Sequence, residues 1–292
     1  MVSSMFRCCV QSARRNSLRQ SLPMYLKSVL QMGSLMLHFR NGATLVQQMR
    51  AAEPSDAIVL WDGTRIAHPA QRAGLLEAVQ EIWLEHVYTG GFYLPADGDV
   101  IVDAGANIGL FAIYVARQNP RCRVIALEPF AENFQYLQAN VARACPKNVT
   151  CHEVALGAGF GQGQMQAMGS RSLDHVLRCD ANIGGGIAVI PLSGLLDLAR
   201  AEEIDFLKVD IEGSEHDVFA AASPQLLSRC KRIAMEYHDR LVPGTLELLR
   251  SVLSPTHELT IRPSQMAGCG ILLARRHSAV GERPTKASTI QS

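Results

Sequence analysis

The sequence predicts an α/β fold in which helices pack against a mostly parallel sheet. The apolar run Val100-Ile101-Val102 is followed by an acidic residue, a glycine-bearing turn and the helical pattern of residues 110–116, which is the order strand, tight loop, helix. Other short apolar runs also lead directly into acidic residues, and they are residues 123–127, 206–209 and 232–235. We therefore expect several parallel strands whose carboxyl ends share one functional edge.

The C-terminal part of the domain predicts how this sheet ends. Residues 258–262 and 270–275 have the pattern of two strands joined around Pro263–Gly268. Such a hairpin is antiparallel, whereas a dinucleotide-binding sheet ends in parallel strands. The hairpin therefore favours a mostly parallel sheet with a closing antiparallel pair.

Composition is consistent with one enzyme domain of residues 56–276 between two different ends. The 292 residues are 48% apolar and 19% charged, enough for a sizeable core. A net charge of +1 offers no broad field for nucleic acid, and we expect no nucleic-acid partner. The eight cysteines show no metal-ligand spacing, which indicates a reducing, cytoplasmic setting. Residues 277–292 are polar and are expected to be a disordered tail.

The head, residues 1–55, is basic and contains no acidic residue before Glu53. Its apolar stretch from 22 to 39 is interrupted by Pro23, Lys27 and Gly33, so we expect no stable membrane insertion. We interpret the head as a helical cap or flexible segment. An organellar transit peptide and helices lying on a membrane surface are the alternatives.

The turn of residues 103–109, Asp-Ala-Gly-Ala-Asn-Ile-Gly, predicts a cofactor site. Gly105 and Gly109 let the backbone approach a ligand, and Asn107 lies between them at the start of the helix. The spacing is not G-x-G-x-x-G, and we expect the Asp103 carboxylate to face the ligand. A carboxylate repels a pyrophosphate and attracts a cation. The loop therefore favours S-adenosylmethionine over NAD.

Two further positions complete the predicted cofactor site. Glu128 ends the second strand about twenty residues beyond the glycines, where an acidic side chain binds ribose hydroxyls. Its alternative role is to cap the helix of residues 131–142. A third strand over residues 149–156 should bring the backbone at Ala155 and Leu156 close to the adenine.

At these positions the sequence resembles the FkbM family of S-adenosylmethionine-dependent methyltransferases. The resemblance runs from about residue 58 to 274, and its most specific part is the block Lys-Val-Asp-Ile-Glu-Gly-Ser-Glu at 208–215. It implies a Rossmann-like class I methyltransferase fold with seven strands. It also implies transfer to a hydroxyl oxygen, often on a sugar or another secondary metabolite. The chain departs from the family's usual Thr-Leu-Asp before this block, since it reads Pro-Leu-Ser-Gly-Leu-Leu-Asp at 191–197.

The later strands predict the catalytic residues. Asp210 follows strand four, at the junction of cofactor and acceptor, and Glu236 and His238 follow strand five. Methyl transfer needs an oriented nucleophile and a group that takes its proton. We predict His238 as a neutral base, oriented by Asp210 or Glu236, with His216 as the competitor. Asp210, Glu212, Glu236 and His238 could alternatively bind a divalent cation, but because they show no diagnostic ligand spacing we expect no metal.

The function predicted from sequence is O-methylation of a hydroxyl on a small molecule by an S-adenosylmethionine-dependent enzyme of secondary metabolism. The alternatives are an NAD-type oxidoreductase and a non-catalytic S-adenosylmethionine-binding module. Residues 157–189 predict a long irregular segment, which we interpret as a lid on the substrate side, with a plain flexible connector as the alternative. Tyr88, beside Gly90 and Gly91, is a candidate for the rim of the active site. The acceptor and the oligomeric state are left open.

Overall fold

The structure is a computed structural model, and it describes residues 33–45, 57–69, 74–145, 147–167, 175–179, 186–264 and 266–278. Side chains within 165–167 and 175–179 fall outside this description, as do most of the head and residues 279–292. Within the described residues, no helix is both long and apolar enough to cross a membrane.

A seven-stranded sheet forms the centre of the fold. Its strands are β3 (Val100–Ala104), β4 (Arg123–Leu127), β5 (Val149–His152), β10 (Phe206–Val209), β11 (Arg232–His238), β12 (His257–Pro263) and β13 (Cys269–Arg276). They lie side by side in the order β12-β13-β11-β10-β3-β4-β5. Neighbouring pairs from β11 to β5 are parallel, and β13 runs antiparallel to both β11 and β12. The predicted seven-stranded sheet with its closing hairpin is confirmed.

Helices cover both faces of this sheet. They are α1 (Leu75–Val79), α2 (Leu110–Gln118), α3 (Ala131–Ala144), α4 (Leu192–Ala199), α5 (Glu215–Ala220), α6 (Pro224–Leu227) and α7 (Thr245–Leu253). α1 continues directly as a π-helix over Gln80–Glu85. Buried strand residues alternate between two apolar clusters, Ile101 facing α2 and α3 and Val102 facing α4 and α7.

The segment expected to be irregular forms a second sheet. β6 (Ala155–Leu156), β7 (Gly161–Ala167), β8 (His175–Cys179) and β9 (Ile187–Ile190) pair in the order β6-β9-β7-β8. The single strand expected over residues 149–156 is therefore divided between two sheets. A small sheet was not evident because β7, which pairs with both β8 and β9, is rich in glycine and glutamine and has no strand-like pattern of its own. The predicted lid partly lies on residues outside the description, 180–185 among them.

The described part of the head packs against a hairpin. β1 (Ala57–Val59) and β2 (Arg65–Ala67) form a two-stranded antiparallel hairpin that turns at Asp62 and Gly63. Residues 33–38 are helical, and Asn41 accepts a hydrogen bond from Val59 N and donates one to Ala57 O, both of 2.9 Å. Phe39 is buried against Trp83. Residues 33–45 are thus part of the packed structure, and the domain limits stay a prediction.

Candidate active site

The loop between β3 and α2 has an unusual backbone that its residue types permit. Gly105, Asn107 and Gly109 all adopt positive φ, of 78°, 50° and 94°. Glycine and asparagine are the residues that take this left-handed conformation most readily. A Cβ atom on Gly105 would lie 1.8 Å from the carbonyl oxygen of Asp210. Gly105 therefore lets the loop and the end of β10 touch through their backbones.

Every backbone N–H from residue 105 to 109 already has a partner within the protein. Gly105 N and Ala106 N donate to Leu127 O, at 3.1 and 2.8 Å. Asn107 N donates to Glu128 Oε2 at 2.7 Å, Ile108 N to Asn107 Oδ1, and Gly109 N to Ala106 O. A dinucleotide site needs such groups free for the pyrophosphate. The loop thus lacks the amide cradle of an NAD site.

Glu128 supports this loop from the end of β4. Its Oε1 accepts from Phe130 N at 3.0 Å, so it connects the loop to the start of α3 as well as to Asn107. Phe130 is the cap residue of α3, so this contact is consistent with the alternative role at the helix start, and binding of ribose hydroxyls stays a prediction. Burial raises the pKa of Glu128 to about 7, although the two backbone N–H groups oppose the shift. Each carboxylate oxygen keeps a lone pair for a ligand hydroxyl.

Asp103 does not face open space as the sequence suggested. Its side chain is completely buried, and Lys208 Nζ lies 3.2 Å from Asp103 Oδ1. Asp103 and Lys208 are direct neighbours in the register of β3 and β10. Burial raises the pKa of Asp103, and the ammonium of Lys208 opposes that shift. Because Lys208 balances its charge, Asp103 alone cannot select a cationic ligand, and that part of the sequence argument is corrected.

Lys208 connects Asp103 to the rest of the site. Its Nζ donates to Gly105 O at 2.8 Å and lies 3.6 Å from Asp210 Oδ2. Lys208 and Asp210 lie two residues apart on one strand and therefore share a face, so their proximity can be read from the sequence. The contact between Lys208 and Asp103 depends on β10 lying beside β3, which the sequence does not reveal.

Asp210, Glu236 and His238 come together at the carboxyl edge of β10 and β11. One possible ligand atom from each lies within 4.8 Å of the other two. His238 Nε2 is 3.8 Å from Glu236 Oε1 and 3.6 Å from Glu212 Oε2. β11 extends through His238 because β13 pairs with it along its whole length, whereas the sequence suggested an end at Met235. The three side chains predicted to converge do converge.

His238 is oriented by a residue that the sequence analysis did not assign to it. Glu215, completely buried at the start of α5, has its Oε1 3.0 Å from His238 Nδ1. Burial lowers the pKa of His238, but the Glu215 hydrogen bond and nearby carboxylates outweigh it and raise the pKa to about 10. Glu215, and not Asp210 or Glu236, therefore orients the imidazole. The raised pKa favours a protonated imidazole over the predicted neutral base.

Tyr88 and Glu81 reach the same site from the π-helical region. Tyr88 is buried, and its hydroxyl lies 3.5 Å from both Asp210 Oδ2 and Glu236 Oε2. Glu81 as a whole residue is exposed, but protein atoms around its carboxyl group and then the Asp210 charge raise its pKa to about 7. Burial, followed by Asp210, also raises the pKa of Glu236 to about 8. Tyr88 lies inside the site and not on its rim, and Glu81 was not predicted.

Two other residues complete the surroundings of the loop. Asn140 of α3 is completely buried, and its amide donates to Ile108 O at 3.0 Å and to Ala67 O at 2.8 Å. Asn140 therefore joins the cofactor loop to the N-terminal hairpin, and this role cannot be recognised from a polar residue in an amphipathic helix alone. Ala155 is buried in β6, and its backbone contact with adenine stays a prediction.

Similarity to known proteins agrees with this architecture. A family model described as the methyltransferase FkbM domain matches residues 103–254, just over half of the chain. This chain belongs to the FkbM methyltransferase family. Its cofactor is S-adenosylmethionine, and the fold is that of class I methyltransferases. The predictions of family, fold and cofactor are confirmed, and the oxidoreductase alternative is excluded.

Individual characterised proteins are only moderately similar to this chain in sequence. AMB antimetabolite synthetase AmbE of Pseudomonas aeruginosa is 30% identical over 55% of this chain, which covers only 9% of that protein. Methyltransferase sdnD of Sordaria araneosa is 28% identical, covering 54% of this chain and 72% of its own. The 31-O-demethyl-FK506 methyltransferase FkbM of Streptomyces tacrolimicus is 26% identical, and the match covers 65% of this chain and 84% of that protein.

Solved structures of low sequence identity resemble the fold. Magnesium protoporphyrin IX methyltransferase from Synechocystis with bound SAM is 14% identical, covering 62% of this chain and 71% of its own, with a TM-score of 0.38. An rRNA methylase from Streptococcus thermophilus is 13% identical, and the match covers 62% of this chain and 89% of that protein, with a TM-score of 0.41. The expectation that nucleic acid is not a partner stays a prediction.

Proposed function

We propose that this FkbM-family methyltransferase transfers the methyl group to a hydroxyl of a small molecule. The observation that carries the proposal is the group of Asp210, Glu236 and Tyr88 beside the cofactor loop. The Tyr88 hydroxyl lies at 3.5 Å from both carboxylates, so a neutral O–H group is compatible with this part of the site. The name of the Streptomyces relative, a 31-O-demethyl-FK506 methyltransferase, supports the same reaction class.

The residues that would hold the cofactor surround the loop after β3. Glu128 would accept hydrogen bonds from ribose hydroxyls, Gly105, Asn107 and Gly109 would shape the loop beside them, and the backbone of Ala155 would contact the adenine. Asp210 is 27% exposed, so it offers a carboxylate to a positively charged part of the cofactor. Asp103 would act indirectly, through Lys208 and Gly105. S-adenosylmethionine, when bound, supplies an electrophilic methyl group.

Asp210 is the group to which we assign the proton of the acceptor hydroxyl. Transfer forms a bond from the acceptor oxygen to the methyl carbon and breaks the bond from that carbon to sulfur, while the hydroxyl proton passes to a carboxylate oxygen. In the ligand-free chain, the raised pKa values of His238 and Glu236 favour their protonated forms, which makes both groups less suited to accept a further proton. His238 would instead orient Glu236 and keep it beside the acceptor.

The reaction is tested with labelled S-adenosylmethionine and three acceptor sets: hydroxylated small molecules, their amine counterparts and RNA. We expect label on a hydroxylated compound, with a methyl ether identified by NMR. Asp210→Asn should lower kcat about 100-fold or more. Glu247→Gln, on the exposed side of α7, is the control and should keep wild-type turnover.

Binding of S-adenosylhomocysteine separates the remaining outcomes. The loss of kcat in Asp210→Asn should exceed its loss of affinity for this product, measured by calorimetry. Transfer to the amines or to RNA alone would overturn the hydroxyl assignment. Strong product binding with no transfer to any acceptor set would support the non-catalytic binding module instead.

A further inference from the structure

We propose that Asp210, Glu236 and His238 form a binding site for one divalent cation of the Mn²⁺ type. The three ligand atoms come from the ends of two adjacent parallel strands and lie within 4.8 Å of one another. Two ligands of one such ion can be no more than about 4.2 Å apart at a bond length of about 2.1 Å. Small side-chain rotations would therefore bring the three atoms onto a common ion.

None of the three groups has a short contact for its inward-facing atom among the described residues. The closest contact of Glu236 is the Tyr88 hydroxyl at 3.5 Å, and those of Asp210 are Tyr88 at 3.5 Å and Lys208 at 3.6 Å. His238 Nε2 has only the carboxylates of Glu212 and Glu236, at 3.6 and 3.8 Å. Hydrogen bonds between such groups are normally shorter. Among the described residues, the three converging atoms therefore make no short polar contact that a bound cation would have to break.

The fixing of His238 is an independent observation that points to a metal. Its side chain is 5% exposed, and Glu215, 0% exposed, holds Nδ1 at 3.0 Å. Histidine ligands almost always donate their second ring N–H to a carboxylate, carbonyl or water, which fixes the ring so that the other nitrogen faces the metal. Here the Glu215 contact on Nδ1 leaves Nε2 facing the carboxylates of Glu212 and Glu236, at 3.6 and 3.8 Å. Glu215 would be a positioning residue and not a ligand.

The chemistry of the ligands favours Mn²⁺. Two carboxylate oxygens suit Mg²⁺, Ca²⁺ and Mn²⁺, while an imidazole nitrogen suits later first-row ions such as zinc and nickel. Mn²⁺ accepts both ligand types, and affinities rise from Mn²⁺ toward Cu²⁺ in the same site. This inference departs from the sequence-based expectation of no metal, since the Glu215 contact is visible only in three dimensions.

Such an ion would deepen the proposed function, and this step rests on that function. With three protein ligands, an octahedral ion keeps three positions for water or for acceptor oxygens. A hydroxyl bound there is more acidic. Its proton would pass to the Asp210 oxygen that does not bind the ion. The arrangement favours acceptors with two adjacent oxygens, such as a vicinal diol, because both can bind one ion.

The binding test uses the full chain, Mn²⁺ alone as the probe, and electron paramagnetic resonance to count free and bound ions. We expect one Mn²⁺ per wild-type chain, with affinity lowered at least 10-fold in Glu236→Gln and about 10- to 100-fold in Glu215→Gln. Glu247→Gln should bind as the wild type does. Zn²⁺ and Mg²⁺ should compete, Zn²⁺ more strongly.

Folding and activity are measured separately, so failure of the two proposals can be distinguished. The rise in Tm caused by S-adenosylhomocysteine should persist in Glu236→Gln, which shows an intact fold and cofactor site. Equal Mn²⁺ binding by wild type and Glu236→Gln would overturn the metal site. Full methyl transfer to a hydroxyl after chelation would overturn the role of the ion and leave the proposed function standing.

Discussion

Replacing Gly105 by alanine tests whether the cofactor loop and the end of β10 form one rigid unit. The new Cβ would lie 1.8 Å from the carbonyl oxygen of Asp210 and 2.9 Å from its carbonyl carbon. These are backbone atoms, and Asp210 N is itself hydrogen-bonded to Ala104 O at 3.1 Å. Since neither side can rotate away, one of the two segments must move.

Two free-energy costs add in Gly105→Ala. The left-handed conformation, with φ of 78°, costs an alanine about 1–2 kcal/mol. Relieving the overlap with Asp210 should cost about 1–3 kcal/mol more, as in overpacked cores. The free energy of unfolding should therefore fall by about 2–5 kcal/mol. Affinity for S-adenosylhomocysteine should fall as well, because the displaced loop carries Asn107 and contacts Glu128.

Gly98→Ala is the matched control, measured like Gly105→Ala by urea unfolding. Gly98 has a φ of 81°, and no atom of the described residues lies within 4 Å of the place where an alanine Cβ would stand, so only the conformational cost of about 1–2 kcal/mol applies. The difference between the two variants isolates the collision. If Gly105→Ala lost no more stability than Gly98→Ala, the close approach to Asp210 would not be a constraint.

Three other changes probe the supports of the site. Lys208→Met should lower the free energy of unfolding by about 3–5 kcal/mol, because it leaves Asp103 unpaired. Adding Asp103→Asn should restore part of this loss in urea unfolding. No recovery in the double variant would contradict an ion pair between Lys208 and Asp103. Asn140→Ala should cost about 1–3 kcal/mol for each orphaned backbone group and speed hydrogen exchange at Ala67 N, whose unchanged exchange would refute the link. In the ligand-free folded chain, the pKa of Glu128 is about 7, above its ordinary value of 4.5. The free energy of unfolding is therefore highest below pH 4.5, where Glu128 is protonated, and this contribution is lost as the pH rises toward 7. Glu128→Gln should flatten that decline, and an unchanged slope would refute the assignment.

The strands that carry the site were predictable because their local sequence is consistent. Val100–Ala104, Arg123–Leu127 and Phe206–Val209 are short apolar runs that end at acidic or glycine residues, and the structure has them with few changes at their ends. Each pattern depends on neighbours in the sequence. The predicted convergence of Asp210, Glu236 and His238 followed from one rule, that parallel strands end at a common edge.

The partners of these residues were not predictable, because they depend on which elements lie side by side. Lys208 faces Asp103 since β10 pairs with β3 in one particular register. Glu215 reads as an ordinary acidic residue in the first turn of a helix, and only the packing of that helix brings it to His238. The second sheet was missed for the same reason, since its strands depend on tertiary pairing.

The correction at Asp103 changes the reason for the cofactor and leaves its identity unchanged. A lone carboxylate at Asp103 would repel a pyrophosphate, but Lys208 lies 3.2 Å from that carboxylate and balances its charge. The hydrogen bonds of the loop speak more strongly against a pyrophosphate, because each N–H from residue 105 to 109 already has a protein partner. Lys208 also donates to Gly105 O, so the buried pair holds the loop in the conformation that uses those groups. Asp103 thus acts on the cofactor through the shape of the loop, and its loss should change loop geometry before it changes ligand charge preference.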